Sequence, residues 1–274
     1  MRYGVRAHPR RRLRPGWFRS AKLVVMRSRD ASRPELSVVI PAFNEATALP
    51  GTLDAVRAAL APLPVPGEVI VVDNRSTDGT AEVARSHGAD AVVHEPINQI
   101  ARARNAGAAS ATGAMLVFVD ADTHPSAELL RASVDAMKNG AVGGGAVVAF
   151  DRRVGLMPRA LLWTWNTLSR NRRWAAGCYV FATRAAFDAV GGFGARDFAG
   201  EEVAFSQRLR RWAGRREAFV ILESPSVVTS ARKIHRWPKV LPVILLMGLI
   251  PWTRRLRRLC GWWYADTKGR EAGG

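Results

Sequence analysis

Hydrophobic positions in this chain alternate between two periods. Runs that are apolar throughout, Leu36–Pro41, Val69–Val72, Ala91–Val93 and Met115–Val119, have the length and bounding turn formers of strands buried on both faces. Between them the spacing is helical: Leu49, Leu53, Val56 and Leu60 line one face, and further helices are predicted from Ala81 to His87 and from Gln99 to Ala111. Pro62, Pro64 and Pro66 end the first of these helices. Strand and helix in strict alternation predict a doubly wound α/β unit, whose ligands sit in the crevice at the carboxyl ends of the strands.

The second half is less regular. Pro125 to Met137 reads as a helix carrying Ala127, Leu130 and Val134 on one face. Gly140 and the run Gly143-Gly144-Gly145 read as a loop ahead of a strand, Ala146–Phe150. A basic, Trp-containing helix is expected within Arg152–Arg173, then a strand in Ala176–Arg184, the turn Val190-Gly191-Gly192-Phe193, and a helix opened by Gly200-Glu201-Glu202. Two separate strands are predicted at Ala218–Leu222 and Ser226–Ser230, followed by Arg232, Lys233 and His235.

The predicted strands run into polar residues that converge on that one crevice. The first loop brings Asn44 and Glu45, the second Asp73, Ser76 and Asp78, the fourth Asp120 and Asp122, with Arg102 and Arg104 on the helix between. Asp-x-Asp alone is common in solvated turns and helix caps. At the end of a buried strand, its hard anionic oxygens suit Mg²⁺ or Mn²⁺ bridged to phosphate. Such carboxylates repel one another unless a divalent ion offsets them, and ion plus arginines make a coherent nucleotide site.

Charge changes the picture only once it is located. The 274 residues are 48% hydrophobic and 23% charged, as in a globular protein, and Cys178 and Cys260 are too few for a disulfide framework, which suits a reducing compartment. The net charge of +18 suggests a nucleic-acid binder, yet residues 1–33 hold 11 Lys/Arg against one acid and residues 231–274 hold 10 against two. Residues 34–230 carry 20 of each sign, so the central domain is neutral. Residues 1–34 are expected to be a disordered basic arm; they lack the apolar core of a signal peptide, and Met26 is an alternative start. Residues 234–274 are expected to form a C-terminal helical appendage in which Val240–Trp252, broken by Pro242 and Pro251, is too short to cross a bilayer. Four arginines and Trp262-Trp263-Tyr264 follow, a pattern suited to lying on an anionic membrane face or to packing on the domain.

Four segments carry a resemblance. Ser37-Val-Val-Ile-Pro-Ala-Phe-Asn-Glu45, Val71-Val-Asp-Asn-Arg-Ser-Thr-Asp-Gly-Thr80, Ala103-Arg-Asn-Ala-Gly107 and Val119-Asp-Ala-Asp-Thr123 resemble, in order, the motifs of family 2 glycosyltransferases with the GT-A fold. The resemblance covers about Leu36 to Ser230 and implies a GT-A-like domain over residues 35–233, with a mostly parallel central sheet and C-terminal apolar or amphipathic helices.

It also implies a UDP- or GDP-sugar donor. Pro41, Asn44, Glu45 and Asp73 would grip base and ribose with Ser76, Arg102, Arg104 and Arg232 nearby; Asp120 would approach the ribose, and Asp122, beside it, the metal on the diphosphate. A Gly-Gly-Phe turn followed by two acids at a helix start marks the acceptor side in this family, the second acid taking the proton of the acceptor hydroxyl; here that acid is Glu202, after Glu201, where the family has Asp. Arg75 likewise stands where the family more often has Gly. Gln207-Arg-Leu-Arg-Arg-Trp212 is one residue too long for the motif of processive members, which predicts a single-transfer enzyme, and direct displacement by the acceptor hydroxyl would make it inverting.

The expected setting is cytoplasmic and peripheral to the inner membrane face, with a lipid-linked or envelope glycan as acceptor and no nucleic acid. Two other readings remain open here. A sugar-phosphate nucleotidyltransferase would carry a Gly-rich, basic loop after the first strand, where this chain has Pro41-Ala-Phe-Asn-Glu45; a non-catalytic nucleic-acid or membrane binder needs no ordered acid loops.

Overall fold

The computed structural model describes residues 22–25, 34–197, 200–214 and 218–232. Strands β2 (Leu36–Ala42), β3 (Gly67–Asp73), β4 (Ala91–His94) and β5 (Met115–Val119) are parallel and ordered β4-β3-β2-β5, linked by α1 (Leu49–Leu60), α2 (Thr80–Ser86) and α3 (Ile100–Ser110). The continuous apolar runs are explained by coverage of both faces. Val38, Ile40, Val69, Val71, Val117 and Val119 pack with α1 and the helix α4 (Ala127–Lys138), while their neighbours Val39, Ile70, Val72, Leu116 and Phe118 pack with α3.

α3 lies close to the sheet because it is built of alanine and glycine. A Cβ at Gly107 would fall 2.3 Å from Val39 Cγ1, so this position admits no side chain without moving helix or strand. Ser126 caps α4, its hydroxyl accepting from the Leu129 amide at 3.2 Å.

Beyond β5 the sheet becomes mixed. β8 (Tyr179–Thr183) runs antiparallel to β5 and to β7 (Gly143–Phe150); β9 (Phe219–Thr229) runs parallel to β7, and the short β6 (Thr123–His124) closes that edge against β9. α5 (Leu156–Arg172) separates β7 from β8; α6 (Arg184–Ala189) and α7 (Glu201–Ala213) cover the same face as α3. The strand order reverses between β2 and β5, and the crevice lies over their carboxyl ends.

Three expectations are corrected. Gly143, Gly144 and Gly145 are not a loop but the start of β7: a Cβ on Gly144 would meet the Val220 carbonyl oxygen at 2.3 Å, so glycine here lets a strand pass between two close neighbours. The two predicted C-terminal strands are one, β9, whose pairing with β7 shifts register between Ala146 and Val148 and so absorbs the polar segment Glu223–Ser226. Within the basic arm, where no element was expected, β1 (Lys22–Val25) pairs antiparallel with β4 as an edge strand. The remainder of that arm, Lys233, His235 and the expected C-terminal helices with their membrane-facing segment lie outside the described residues. No helix among the described residues is long and apolar enough to cross a membrane.

Candidate functional site

The loops after β2 and β3 are fastened to each other. Asn44, in a left-handed conformation, accepts from the Thr77 amide through Oδ1 at 2.8 Å and donates its own amide to Ser76 Oγ at 3.1 Å. The Glu45 amide donates to Thr80 Oγ1 at 3.0 Å and the Ala46 amide to Asp78 Oδ2 at 3.2 Å. Asn44, Ser76 and Asp78 therefore hold the rim of the crevice through backbone contacts, and Pro41 lies beneath them, buried in β2 opposite Val72. Arg75 has φ 64°, which shows the physical reason for glycine at this turn: the backbone is left-handed, and an arginine keeps it at a steric cost.

Asp73 ends β3 with its side chain nearly buried. Its Oδ1 accepts from the Ser76 amide at 2.9 Å, and its Oδ2 lies 3.0 Å from Nδ1 of His94 at the end of β4. His94 directly follows the apolar run Ala91–Val93, and parallel pairing of β3 with β4 sets it opposite Asp73.

Arg104 organises the other wall. It is 1% exposed and donates to Asp120 Oδ1 at 3.0 Å, to Glu201 Oε1 at 2.8 Å and to the Gly177 carbonyl at 2.7 Å, with its guanidinium 5.2 Å from the centre of the Phe193 ring. It therefore lies under the crevice, bonded to protein groups, whereas its position in the sequence had suggested a cation facing phosphate in the crevice. Arg102 is also turned to protein: its Nε donates to Glu95 at 3.1 Å. The next residue, Asn105, belongs to the same motif; it exchanges hydrogen bonds with the Phe193 backbone at 2.8 and 2.9 Å, fixing the Gly-Gly-Phe turn whose glycines have φ 75° and 66°.

Glu201 and Glu202 open α7 in different surroundings. Glu201 is buried against Arg104. Glu202 is partly buried beside Gly177, and burial, followed by the Glu201 carboxylate, pushes its pKa up to about 8. A carboxyl group that titrates near neutrality is suited to taking and releasing a proton. Between the two walls, burial and the carboxylates of Asp120 and Asp122 push the Cys178 thiol well up, so it is no nucleophile at neutral pH.

Asp122 is met by Arg232, which follows β9. Arg232 donates to Asp122 Oδ2 from Nε at 3.3 Å and from Nη2 at 3.1 Å, and it pairs with Glu45 across the crevice. Among the described residues no group of three or more His, Cys, Asp or Glu side chains is placed to enclose a metal. That donor set nevertheless fits Mg²⁺ or Mn²⁺ held as such ions are held on nucleotides, by one or two carboxylates with diphosphate oxygens and water completing the shell. Asp122 would be the carboxylate for it, since it already faces the cationic Arg232; Asp120 has one oxygen committed to Arg104.

The model of glycosyl transferase family 2 matches residues 37–198. Glycosyltransferase AglE of Haloferax volcanii is 35% identical over 109 residues, 38% of this chain and 36% of that protein. An uncharacterized glycosyltransferase of Mycobacterium tuberculosis is 40% identical over 106 residues, covering 39% and 45%. The chain thus spans less than half the length of these curated relatives. Among solved structures, the mannosyltransferase PcManGT from Pyrobaculum calidifontis, in complex with GDP-Man and Mn²⁺, superposes with a TM-score of 0.57 at 24% identity over 81% of this chain and 64% of that one, a similarity of GT-A fold. With the matched segment running from β2 through the Gly-Gly-Phe turn, and so through Asp73, Arg104, Asp120 and Asp122 though ending before Glu201, this chain belongs to glycosyl transferase family 2.

Proposed function

We propose that the protein transfers a sugar from a nucleotide-sugar donor to an acceptor hydroxyl, with a divalent cation and with inversion at the anomeric carbon. The observation that carries this reading is the division of labour among the carboxylates over the β2/β5 switch point. Asp73, paired with His94, would meet base and ribose; Asp122 lies at the rim where a diphosphate would lie, and Glu202 on the opposite wall with a proton affinity suited to a base. Asp120, oriented by Arg104, lies between them.

In this mechanism the donor's base and ribose are held by the fastened first and second loops, which are rigid before binding and so cost little ordering on association. Asp122 would hold Mg²⁺ or Mn²⁺, which would supply positive charge against that of the departing nucleotide. Arg232, at the same rim, can follow the negative charge from Asp122 and Glu45 to the diphosphate. Glu202 removes the proton of the acceptor hydroxyl as its oxygen attacks the anomeric carbon from the face opposite the leaving group. The C1–oxygen bond to the nucleotide breaks as the new one forms, which inverts the centre.

The long form of the Gln207–Trp212 segment supports one transfer per encounter. A peripheral membrane setting with a lipid-linked acceptor is the companion reading, supported by the basic ends of the chain. The test is a screen of UDP-, GDP- and dTDP-sugars with Mn²⁺ for donor hydrolysis. Turnover of one class, abolished by EDTA, is the expected result; turnover of none, with nucleotide triphosphate and sugar phosphate condensed instead, would establish nucleotidyl transfer.

A further inference from the structure

α5 is a helix that the domain does not cover. Of its 17 residues Ser169 alone is buried. It is fastened on one side: Asn166 exchanges hydrogen bonds of 3.0 and 2.9 Å with the backbone of Val148 in β7, and Leu162 and Trp165 rest on the core. Its opposite side presents Leu156, Met157 and Trp163, which are 82%, 69% and 68% exposed and are three of the five large hydrophobic residues most exposed among those described. Leu156, Ala160 and Trp163 fall on one line of the helix, with Arg159 beside them. A surface helix ordinarily turns its apolar residues inward.

Charge says what would cover it. Residues 151–174 hold six arginines, Arg152, Arg153, Arg159, Arg170, Arg172 and Arg173, and one acid, Asp151, whose carboxylate is taken up by the Ala231 amide at 3.0 Å. The rest of residues 34–230 carries an excess of acid, since the whole segment is balanced at 20 of each sign. Exposed apolar residues with an interfacial Trp, flanked by arginines, have the chemistry of a helix lying in the headgroup layer of an anionic bilayer. A protein partner would need acidic groups around an apolar groove; a bilayer offers both at any orientation of the helix axis in its plane.

The position of α5 gives this a consequence. Its last turn leads directly into the wall of the crevice: the Ala175 amide donates to Ser206 Oγ of α7 at 3.1 Å, and Gly177, held by Arg104, stands beside Glu202. We propose that α5 is the face by which the folded domain docks on an anionic lipid bilayer, setting the Glu202 wall toward an acceptor carried in that bilayer. The docking surface is distinct from the C-terminal segment 240–264 and belongs to the domain itself; it rests on the glycosyltransferase reading only for what is brought to the site.

Flotation of the full-length protein tests it, with vesicles of phosphatidylglycerol and phosphatidylcholine against phosphatidylcholine alone. Wild type is expected to float with the first and poorly with the second, and Leu156→Gln/Trp163→Gln to lower the bound fraction by roughly tenfold or more. Both residues are exposed and glutamine is a good helix former, so calorimetric affinity for the donor nucleotide should be unchanged in the variant. Arg152→Gln/Arg153→Gln/Arg159→Gln should weaken binding and reduce its salt dependence. A double variant that floats like wild type, or a wild type that floats with neither vesicle, overturns the proposal. So does a wild-type dimer that the double variant dissolves, because a second copy would then be the occupant. Failure of wild type to bind any sugar nucleotide would strike the enzymatic reading and leave this one standing.

Discussion

Arg104 Nη1 lies 2.8 Å from Oε1 of Glu201, and the pair gives two adjacent glutamates of the same chemistry different surroundings. One carboxylate is held by a buried cation that also positions Asp120 and the Gly177 carbonyl. Its neighbour is left beside the crevice with a raised pKa.

Glu202→Gln should therefore lower turnover by about 10²–10⁴-fold, the usual contribution of a general base, with donor affinity kept within about twofold. Glu201→Gln should act on the fold, since removing one partner of a buried ion pair costs about 3–5 kcal/mol. Denaturant unfolding and sugar transfer measured on both variants separate the roles. Normal turnover in Glu202→Gln with a dead, stably folded Glu201→Gln would reverse them.

The same group sets two pH dependences of opposite sense. As a base it must be unprotonated, so kcat/KM should climb as pH rises through about 8. As a buried acid with its pKa raised from 4.5, it binds its proton more tightly in the folded chain than in the unfolded one; its contribution to stability is full below pH 4.5 and falls away as pH rises toward 8. Unfolding free energies compared at pH 5.5 and pH 8 should fall less in Glu202→Gln than in wild type. An equal fall in both would show that the group is not perturbed.

Asp122→Ala should weaken donor binding by more than tenfold in the presence of Mn²⁺ and make it indifferent to EDTA, because in the proposed mechanism the ion would carry most of the diphosphate interaction. Arg232→Gln should act differently. With the guanidinium gone from between Glu45 and Asp122, calorimetry should show Mn²⁺ alone binding a few-fold more tightly, within the ~1 kcal/mol expected of a half-exposed ion pair, while the donor binds less well. Tighter donor binding in Arg232→Gln would mean that the arginine only blocks the site.

Arg75→Gly offers a test on stability. A left-handed conformation costs an ordinary residue roughly 1–2 kcal/mol, and glycine's greater freedom in the unfolded chain returns about 0.5–1. A gain of a few tenths to 1 kcal/mol is expected by denaturant unfolding. A loss would mean that the Arg75 side chain makes an interaction worth more than the strain.

Local chemistry determined much of this protein from the sequence alone. Runs such as Val69–Val72 can only be strands covered on both sides, and the acids that end them had to meet at one edge of a parallel sheet, so β2 to β5, their helices and the neighbourhood of Asp73, Asp120 and Asp122 were legible without coordinates. What depends on partners far along the chain was not. Arginine carries the same charge facing a phosphate or facing a carboxylate, and only the approach of α7 to α3, 97 residues apart, turns Arg104 toward Glu201. The pairing of β3 with β4 chooses His94 for Asp73; the space between β8 and β9 makes strand of three glycines that read as loop; and which side of α5 remains uncovered depends on how little of the domain reaches it. Periodicity records which residues must leave water, but not which polar group each will find when they do, because that is fixed by contacts whose sequence separation no local pattern spans.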